Sequence, residues 1–388
     1  MKSSTLIPIG PLAALVALLA AGSNATAQEY KVGDQVFGMP AAEIFTEDYQ
    51  GPPVVGAELT HLPFLAPLAA GNHDHHIRVD IVAEEIEVAP GVRYAAWTFG
   101  GSVPGPVLHV REGDRVFFTM KNRSADSVQV TAPAADASPF LQQLAANDYQ
   151  KATPSPMGMQ HSIDFHAATV APSDKWRMVP PGKSIRFQWV ANYPGVYIYH
   201  CGAPPVLQHI AMGQYGVVVV SPREGYPTDK EVAREYVIVQ SEFYLKKADE
   251  GDLYEFDMPA ALAKQPTQVT FNGHTLELTK HPLIANAGER VRLYLHNVGP
   301  NDTASNHVIG AIMDRVWYEG NPHNEMRGMQ TVLLGASNGA VVEFIASEEG
   351  DYPIVDHEFA DASKGALGHL SVRNRKGEIT TPVAPMAH

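Results

Sequence analysis

Two short segments carry the side chains best suited to chemistry. The first is His161-Ser-Ile-Asp164-Phe-His166. The second runs Tyr199-His200-Cys201-Gly-Ala-Pro-Pro-Val-Leu-Gln-His209-Ile-Ala-Met212-Gly-Gln214. Cys201 is the only cysteine among 388 residues, so an internal disulfide is impossible and the choice lies between an inert buried thiol and a metal ligand. Two imidazoles and a thiolate in a trigonal set, with a weak axial donor, make a blue copper site. His161, Cys201 and His209 supply the three strong donors. A loop that leaves a strand at Cys201 and re-enters one after His209 brings both of its ends to one ion. The metal would hold the thiol as thiolate.

Strand alternation then implies a second site. Neighbouring side chains on a strand point to opposite faces, so with Cys201 turned inward His200 must turn outward. Asp164 and His166 share one face, and His161, an odd number of residues from Asp164, takes the other. Two histidines and a carboxylate therefore converge on the outer face, joined through the backbone to the inner donors. A lone histidine is usually structural. Two of matched parity beside such a cysteine point to a second metal.

The elements that position these groups read as strands. Val116-Phe-Phe-Thr-Met, Ile185-Arg-Phe-Gln-Trp-Val, Val217-Val-Val-Val, Val291-Arg-Leu-Tyr-Leu and Ala340-Val-Val-Glu-Phe-Ile are short apolar runs between Gly, Pro and Asn turns, as sandwich strands should be. Helical periodicity is scarce, with one short helix expected at Pro259-Ala-Ala-Leu-Ala. The chain also repeats. Gly105-Pro-Val-Leu-His-Val-Arg-Glu-Gly-Asp-Arg-Val-Phe-Phe is similar to His281-Pro-Leu-Ile-Ala-Asn-Ala-Gly-Glu-Arg-Val-Arg-Leu-Tyr, and Gly195-Val-Tyr-Ile-Tyr to Gly350-Asp-Tyr-Pro-Ile. The two pairs differ in offset, which marks residues 124–160, rich in Ala, Ser and Pro, as an extra loop in the first copy. The fold expected is all-β: two tandem Greek-key β-sandwiches, residues 76–222 and 223–388, behind an N-terminal extension at 28–75. His73, His75 and His76 at its end could bind a metal, but a polar loop is the preferred expectation.

Residues 1–27 read as a signal peptide. Lys2 gives the positive start, Leu12 to Ala21 the apolar run and Ala25-Thr26-Ala27 the small-residue cleavage site. The run is shorter than the roughly 20 residues of a membrane span, so a soluble, exported, periplasmic protein is expected rather than an anchored one. A formal net charge of -14, spread thinly, disfavours nucleic acid or anionic membrane as a partner. No phosphate loop, Ser-His-Asp set or nucleotide fingerprint occurs.

The two metal-binding segments closely resemble those of the copper-containing nitrite reductases, and the likeness extends over roughly residues 80 to 375. It implies a cupredoxin pair with a type 1 copper inside the first domain and a type 2 copper between the subunits of a homotrimer. His161, Cys201 and His209 then match the type 1 ligands, and His166 and His200 two type 2 ligands. The third matches His357, given by the adjacent subunit. Asp164 matches the active-site acid, His307 its histidine partner, and Ile309 the apolar residue that limits how substrate lies. The substrate implied is nitrite, and the electron comes from an external cupredoxin or c-type cytochrome. The family usually has Met five residues after the second type 1 histidine; Gln214 stands there instead. An amide oxygen is a known axial donor, so Gln214 is preferred, with Met212 as the alternative. In the second copy Asp356 stands where Cys201 does and Lys364 where His209 does, so that copy is expected to hold no blue site.

Two alternatives differ in kind. A two-domain multicopper oxidase would need His-X-His pairs and His-Cys-His for its trinuclear cluster. Here Asp164-Phe-His166 and His200-Cys201-Gly202 stand in their place, and the second domain has no His-X-His. A non-catalytic copper electron carrier would have no use for Asp164, His307 or His357. About two coppers per chain would mark the reductase, one the carrier and four the oxidase.

Overall fold

The computed structural model describes residues 28–47, 59–68, 71, 73–124, 159–249 and 251–379. The expected signal peptide lies outside them, as does the expected extra loop apart from Ser124, Met159 and Gln160. Two β-sandwiches are built on one repeated ladder. In the first, Asp74–Arg78 pairs parallel with Arg115–Lys121, which pairs antiparallel with Ser184–Val190. The facing sheet runs Val107–Arg111 parallel to Tyr215–Ser221, then antiparallel to Gly195–His200 and Asp164–Phe165. In the second, Val232–Phe243, Arg290–Gly299 and Asn338–Ile345 repeat the first ladder. Leu283–Asn286, Leu367–Arg373, Gly350–Asp356 and Ala304–Val308 repeat the other. The helix expected near Pro259 forms at Met258–Leu262, capped by the Asp257 side chain accepting from Ala260 N.

Described parts of the segment before residue 76 are woven into the first sandwich. Glu43–Phe45 and Leu59–Thr60 are edge strands of its two sheets. Of the polar loop expected at His73–His76, residues 74–76 instead belong to the strand Asp74–Arg78. His75 Nε2 meets Asp114 Oδ2 at 2.8 Å, His76 stacks on Phe117 at 4.8 Å, and Ile77 fills the core. Pairing alongside Arg115–Lys121 draws these residues into a strand. Leu245–Lys247 and Tyr254–Phe256 form a hairpin that joins the sheet of Ile81–Ala89 and Val92–Phe99 through Tyr254 and Tyr94, tying the second half of the chain to the first.

The two sandwiches share a core. On Gly195–His200, Tyr197 and Tyr199 face the first sandwich's interior, which also holds Cys201. Val196 and Ile198 face the opposite way. With Val217 and Val219 they pack on Val237, Val239, Tyr294, Trp317 and Val341 of the second sandwich. Each fully buried Val or Ile contributes about 1.5–3 kcal/mol, so this face is a substantial joint. It also fixes the direction of His200, the next even-numbered side chain on the strand.

Candidate metal centre

Cys201 follows the last residue of Gly195–His200 and is fully buried. The chain then turns through Pro204 and Pro205 into the helix Val206–Ala211, whose last turn carries His209. Gly213 allows the return: its φ is +110°, and a Cβ there would sit 2.5 Å from a Val103 methyl. Cys201 N donates to Gln214 O at 3.1 Å, and Gln214 N to His209 O at 3.1 Å, so the loop closes on itself. Its side chains converge with His161. Cys201 Sγ lies 3.2 Å from His209 Nδ1 and 3.9 Å from His161 Nδ1, the two Nδ1 atoms lie 3.2 Å apart, and Gln214 Oε1 is 3.0 Å from His209 Nδ1.

Burial, reinforced by His209, pushes the His161 pKa down to about 3, and burial lowers that of His209 as well. Both rings are therefore neutral at pH 7. Two neutral imidazoles, a sulfur and an amide oxygen offer lone pairs to one point, while His209 Nε2 and Gln214 Nε2 are buried with no hydrogen-bond partner. A cation satisfies this arrangement better than any pattern of hydrogen bonds among the four groups. Soft sulfur with imidazole fits copper. The Met212 side chain belongs to an apolar cluster with Val88, Tyr94, Trp97 and Phe243.

The second group forms on the other face. Asp164 stands across the ladder from His200, and Phe165 from Tyr199. His166 Nε2 and His200 Nε2 face each other at 3.1 Å, and Asp164 Oδ2 is 3.9 Å from both. His200 Nδ1 is held by the Cys201 carbonyl at 3.0 Å and His166 Nδ1 by Ser337 Oγ at 3.2 Å. Because a carbonyl can only accept, His200 carries its proton on Nδ1 and its Nε2 lone pair faces His166 Nε2 beside a carboxylate. Burial, with His200 adding to it, lowers the His166 pKa to about 4, and burial raises that of Asp164 to about 6. Asp164 Oδ1 is buried without a partner. This donor set also fits a metal ion, harder than the first because it has no sulfur.

Among the described residues these two groups, His161–Cys201–His209 and Asp164–His166–His200, are the clusters able to hold a metal. His307 and His357 belong to neither within one chain. They lie together on the second sandwich, ring centroids 5.4 Å apart, with His307 Nδ1 held by the Gln330 carbonyl. His357 is exposed, and Ile309 is half-buried, its N–H bonded to Pro353 O at 2.8 Å. At the place of Cys201, Asp356 is buried and accepts from Ser305 N, Glu358 N and Gln240 Nε2 at 2.6–3.0 Å. Lys364, at the place of His209, pairs with Asp361.

Three contributors escaped motif reasoning. Trp97 stands edge-on to both inner histidines, 4.8 Å from His209 and 5.4 Å from His161. Ser162 sends its N–H to Cys201 Sγ at 3.4 Å and accepts Gly202 N at 3.0 Å. Ser337 reaches His166 from the second sandwich. Ser162 is flagged only by adjacency to His161; Trp97 and Ser337 are remote in sequence and carry no local signal.

Comparison with known proteins agrees with this geometry. Two family models described as multicopper oxidase match residues 80–139 and 146–224. A copper-containing nitrite reductase of Neisseria meningitidis serogroup A is 38% identical over 337 residues, 85% of this chain and 78% of that protein. The solved copper nitrite reductase of Nitrosomonas europaea superposes with a TM-score of 0.62 at 32% identity, covering 81% of this chain and 96% of that one. A solved multicopper oxidase, TM-score 0.61 over 82% of this chain and 98% of its own, is 21% identical and shares the fold alone. Sandwiches, donor groups and relatives agree: the chain belongs to the copper-containing nitrite reductases.

Proposed function

We propose that this protein takes nitrite, one electron and two protons to nitric oxide and water, as a step of denitrification, using two coppers per chain. The observation that carries it is the pair His200–Cys201, consecutive residues that place one donor in each of two converging groups. His161, Cys201 and His209 would hold the type 1 copper, with Gln214 as the fourth donor. Gln214 is favoured over Met212 because its amide oxygen lies 3.0 Å from His209 Nδ1. His166 and His200, completed by the partner subunit's His357 in a homotrimer, form the type 2 set. The exposure of His357 and its absence from its own chain's donor group support that assembly.

When bound, the coppers supply one-electron transfer and a Lewis-acid site for nitrite. The residues do the rest. The peptide between Cys201 and His200 is the short covalent route from one donor group to the other. Asp164, with its buried unpaired Oδ1, hydrogen-bonds the departing oxygen and delivers a proton. The partner subunit's His307 is the second proton donor: Gln330 holds Nδ1, so Nε2 faces substrate. Ile309 restricts how nitrite lies. The thinly spread negative charge suits an external cupredoxin or c-type cytochrome with a basic patch. Residues 1–27 direct export to the periplasm, and among the described residues no helix is long and apolar enough to cross a membrane. The repeated ladders support division at 76–222 and 223–388.

Metal analysis joined to a nitrite assay tests this. The full chain loaded with copper should hold two ions and release nitric oxide with a one-electron donor. His357→Ala should lose one copper and the activity while the blue absorption stays. One copper per wild-type chain and no nitric oxide would leave an electron carrier, and four coppers with dioxygen uptake an oxidase.

A further inference from the structure

We propose that Ser337, on a loop of the second sandwich, is a positioning residue for His166 in the same chain. This rests on the reading of His166 as a ligand of the catalytic copper. Ser337 Oγ lies 3.2 Å from His166 Nδ1. In the role assigned to Ser337, its oxygen accepts from His166 Nδ1–H, which leaves the lone pair on Nε2, facing His200 Nε2 at 3.1 Å. His200 has the same device inside the first sandwich, its Nδ1 held by the Cys201 carbonyl. For His166 the equivalent partner comes from the other sandwich. A hydrogen bond at one ring nitrogen selects the tautomer and aims the other nitrogen.

The loop is built to hold that hydroxyl in place. Ser337 has φ +67°, a left-handed conformation that residues with a Cβ adopt at a cost. Its N–H bonds Asn297 O at 2.7 Å, and Asn297 Nδ2 donates back to Leu334 O and Gly335 O at 3.3 and 3.2 Å. Asn338 Oδ1 accepts from Tyr318 Oη at 2.6 Å, and its amide nitrogen bonds Glu319. The loop is fixed to the strand that ends in His200, because Val196 N donates to Glu319 O at 2.9 Å. Gly339 lies so close that a Cβ there would be 2.3 Å from Val196 O. Ligand strand and loop therefore move as one body, and the left-handed Ser337 is held by that body. A glycine would suit the backbone better, but it would leave His166 Nδ1 without the hydroxyl.

Glycine and alanine variants separate positioning from structure, because both lack the hydroxyl but only alanine keeps the backbone strain. Ser337→Gly and Ser337→Ala in the copper-loaded full chain are dialysed against EDTA, and the second copper is followed by metal analysis and electron paramagnetic resonance. Both variants should bind it on the order of 10-fold more weakly, with the blue absorption unchanged and the glycine variant melting no lower than wild type. In the metal-free protein, nitrogen-15 shifts of the His166 ring should show loss of the single tautomer in both. Wild-type copper retention and an unchanged tautomer in Ser337→Gly would overturn the proposal. Retention of the second copper in His166→Ala would instead overturn the underlying ligand reading.

Discussion

Asp164 and His307 occupy the same place in the two sandwiches. Asp164 pairs across its ladder with His200, and His307 with Val355. His200 and Val355 both precede the position at the strand end, filled by Cys201 in one copy and Asp356 in the other. A carboxylate and an imidazole thus stand at one structural position of the repeat, and only the first copy carries the thiol and its two histidines. In the second copy the buried Asp356 carboxylate ties down backbone N–H groups instead. That division of labour makes the sites separable by mutation.

Cys201→Ser should abolish the blue absorption and leave the second copper bound. Serine oxygen is a harder donor and cannot give the thiolate-to-copper transition. Optical spectra and metal analysis of the purified variant check it. A surviving blue band would remove Cys201 from the centre.

Gln214→Met should raise the type 1 potential, because a thioether favours Cu(I) more than an amide oxygen does. For one electron about 59 mV is a factor of ten in the equilibrium, so a modest shift changes which donor can reduce the site. Met212→Ala should leave the potential near wild type, since that side chain packs with Trp97 and Phe243. Potentiometric titration of the blue band in both variants decides; the reverse pattern would make Met212 axial.

Asp164→Asn should keep both coppers and lose on the order of 10²–10⁴ in kcat, the worth of a positioned proton donor. Burial holds the Asp164 carboxyl up near pKa 6, so its protonated fraction falls as pH rises through that value, and the wild-type rate should fall with it. The amide has nothing to titrate there, and that limb of the profile should vanish. Steady-state rates from pH 5 to 8 test both points, and a rate near wild type in the variant would take Asp164 out of the mechanism.

Glu84 and Glu277 give the protein a pH-dependent stability unconnected with catalysis. Each is buried, and burial pushes each carboxyl up to about 7. Between the ordinary carboxylate range and pH 7 the folded chain therefore holds protons that the unfolded chain has released, so stability falls as pH rises through that window. Glu84→Gln together with Glu277→Gln should flatten the fall and raise the melting temperature at pH 8. Thermal melts across the window measure it; a double variant less stable than wild type at pH 8 would refute the assignment.

The inner donor set was legible in the sequence because one cysteine with histidines at short spacing constrains a loop to a metal. Parity along a strand likewise separated His200 from Cys201 and paired Asp164 with His166, since the side-chain period of two is a local property of extended backbone. The doubled sandwich followed from matched strand-and-turn patterns. Tertiary structure decided what depends on contacts between distant segments. It placed the Gln214 amide oxygen 3.0 Å from His209 Nδ1, on a loop closed by the hydrogen bond from Cys201 N to Gln214 O. It made His75 and His76 part of a strand, because Asp114 and Phe117 lie alongside. It set Ser337 against His166 and Trp97 over His161 and His209. Those last pairings arise from packing between elements, which leaves no periodicity in the chain to read.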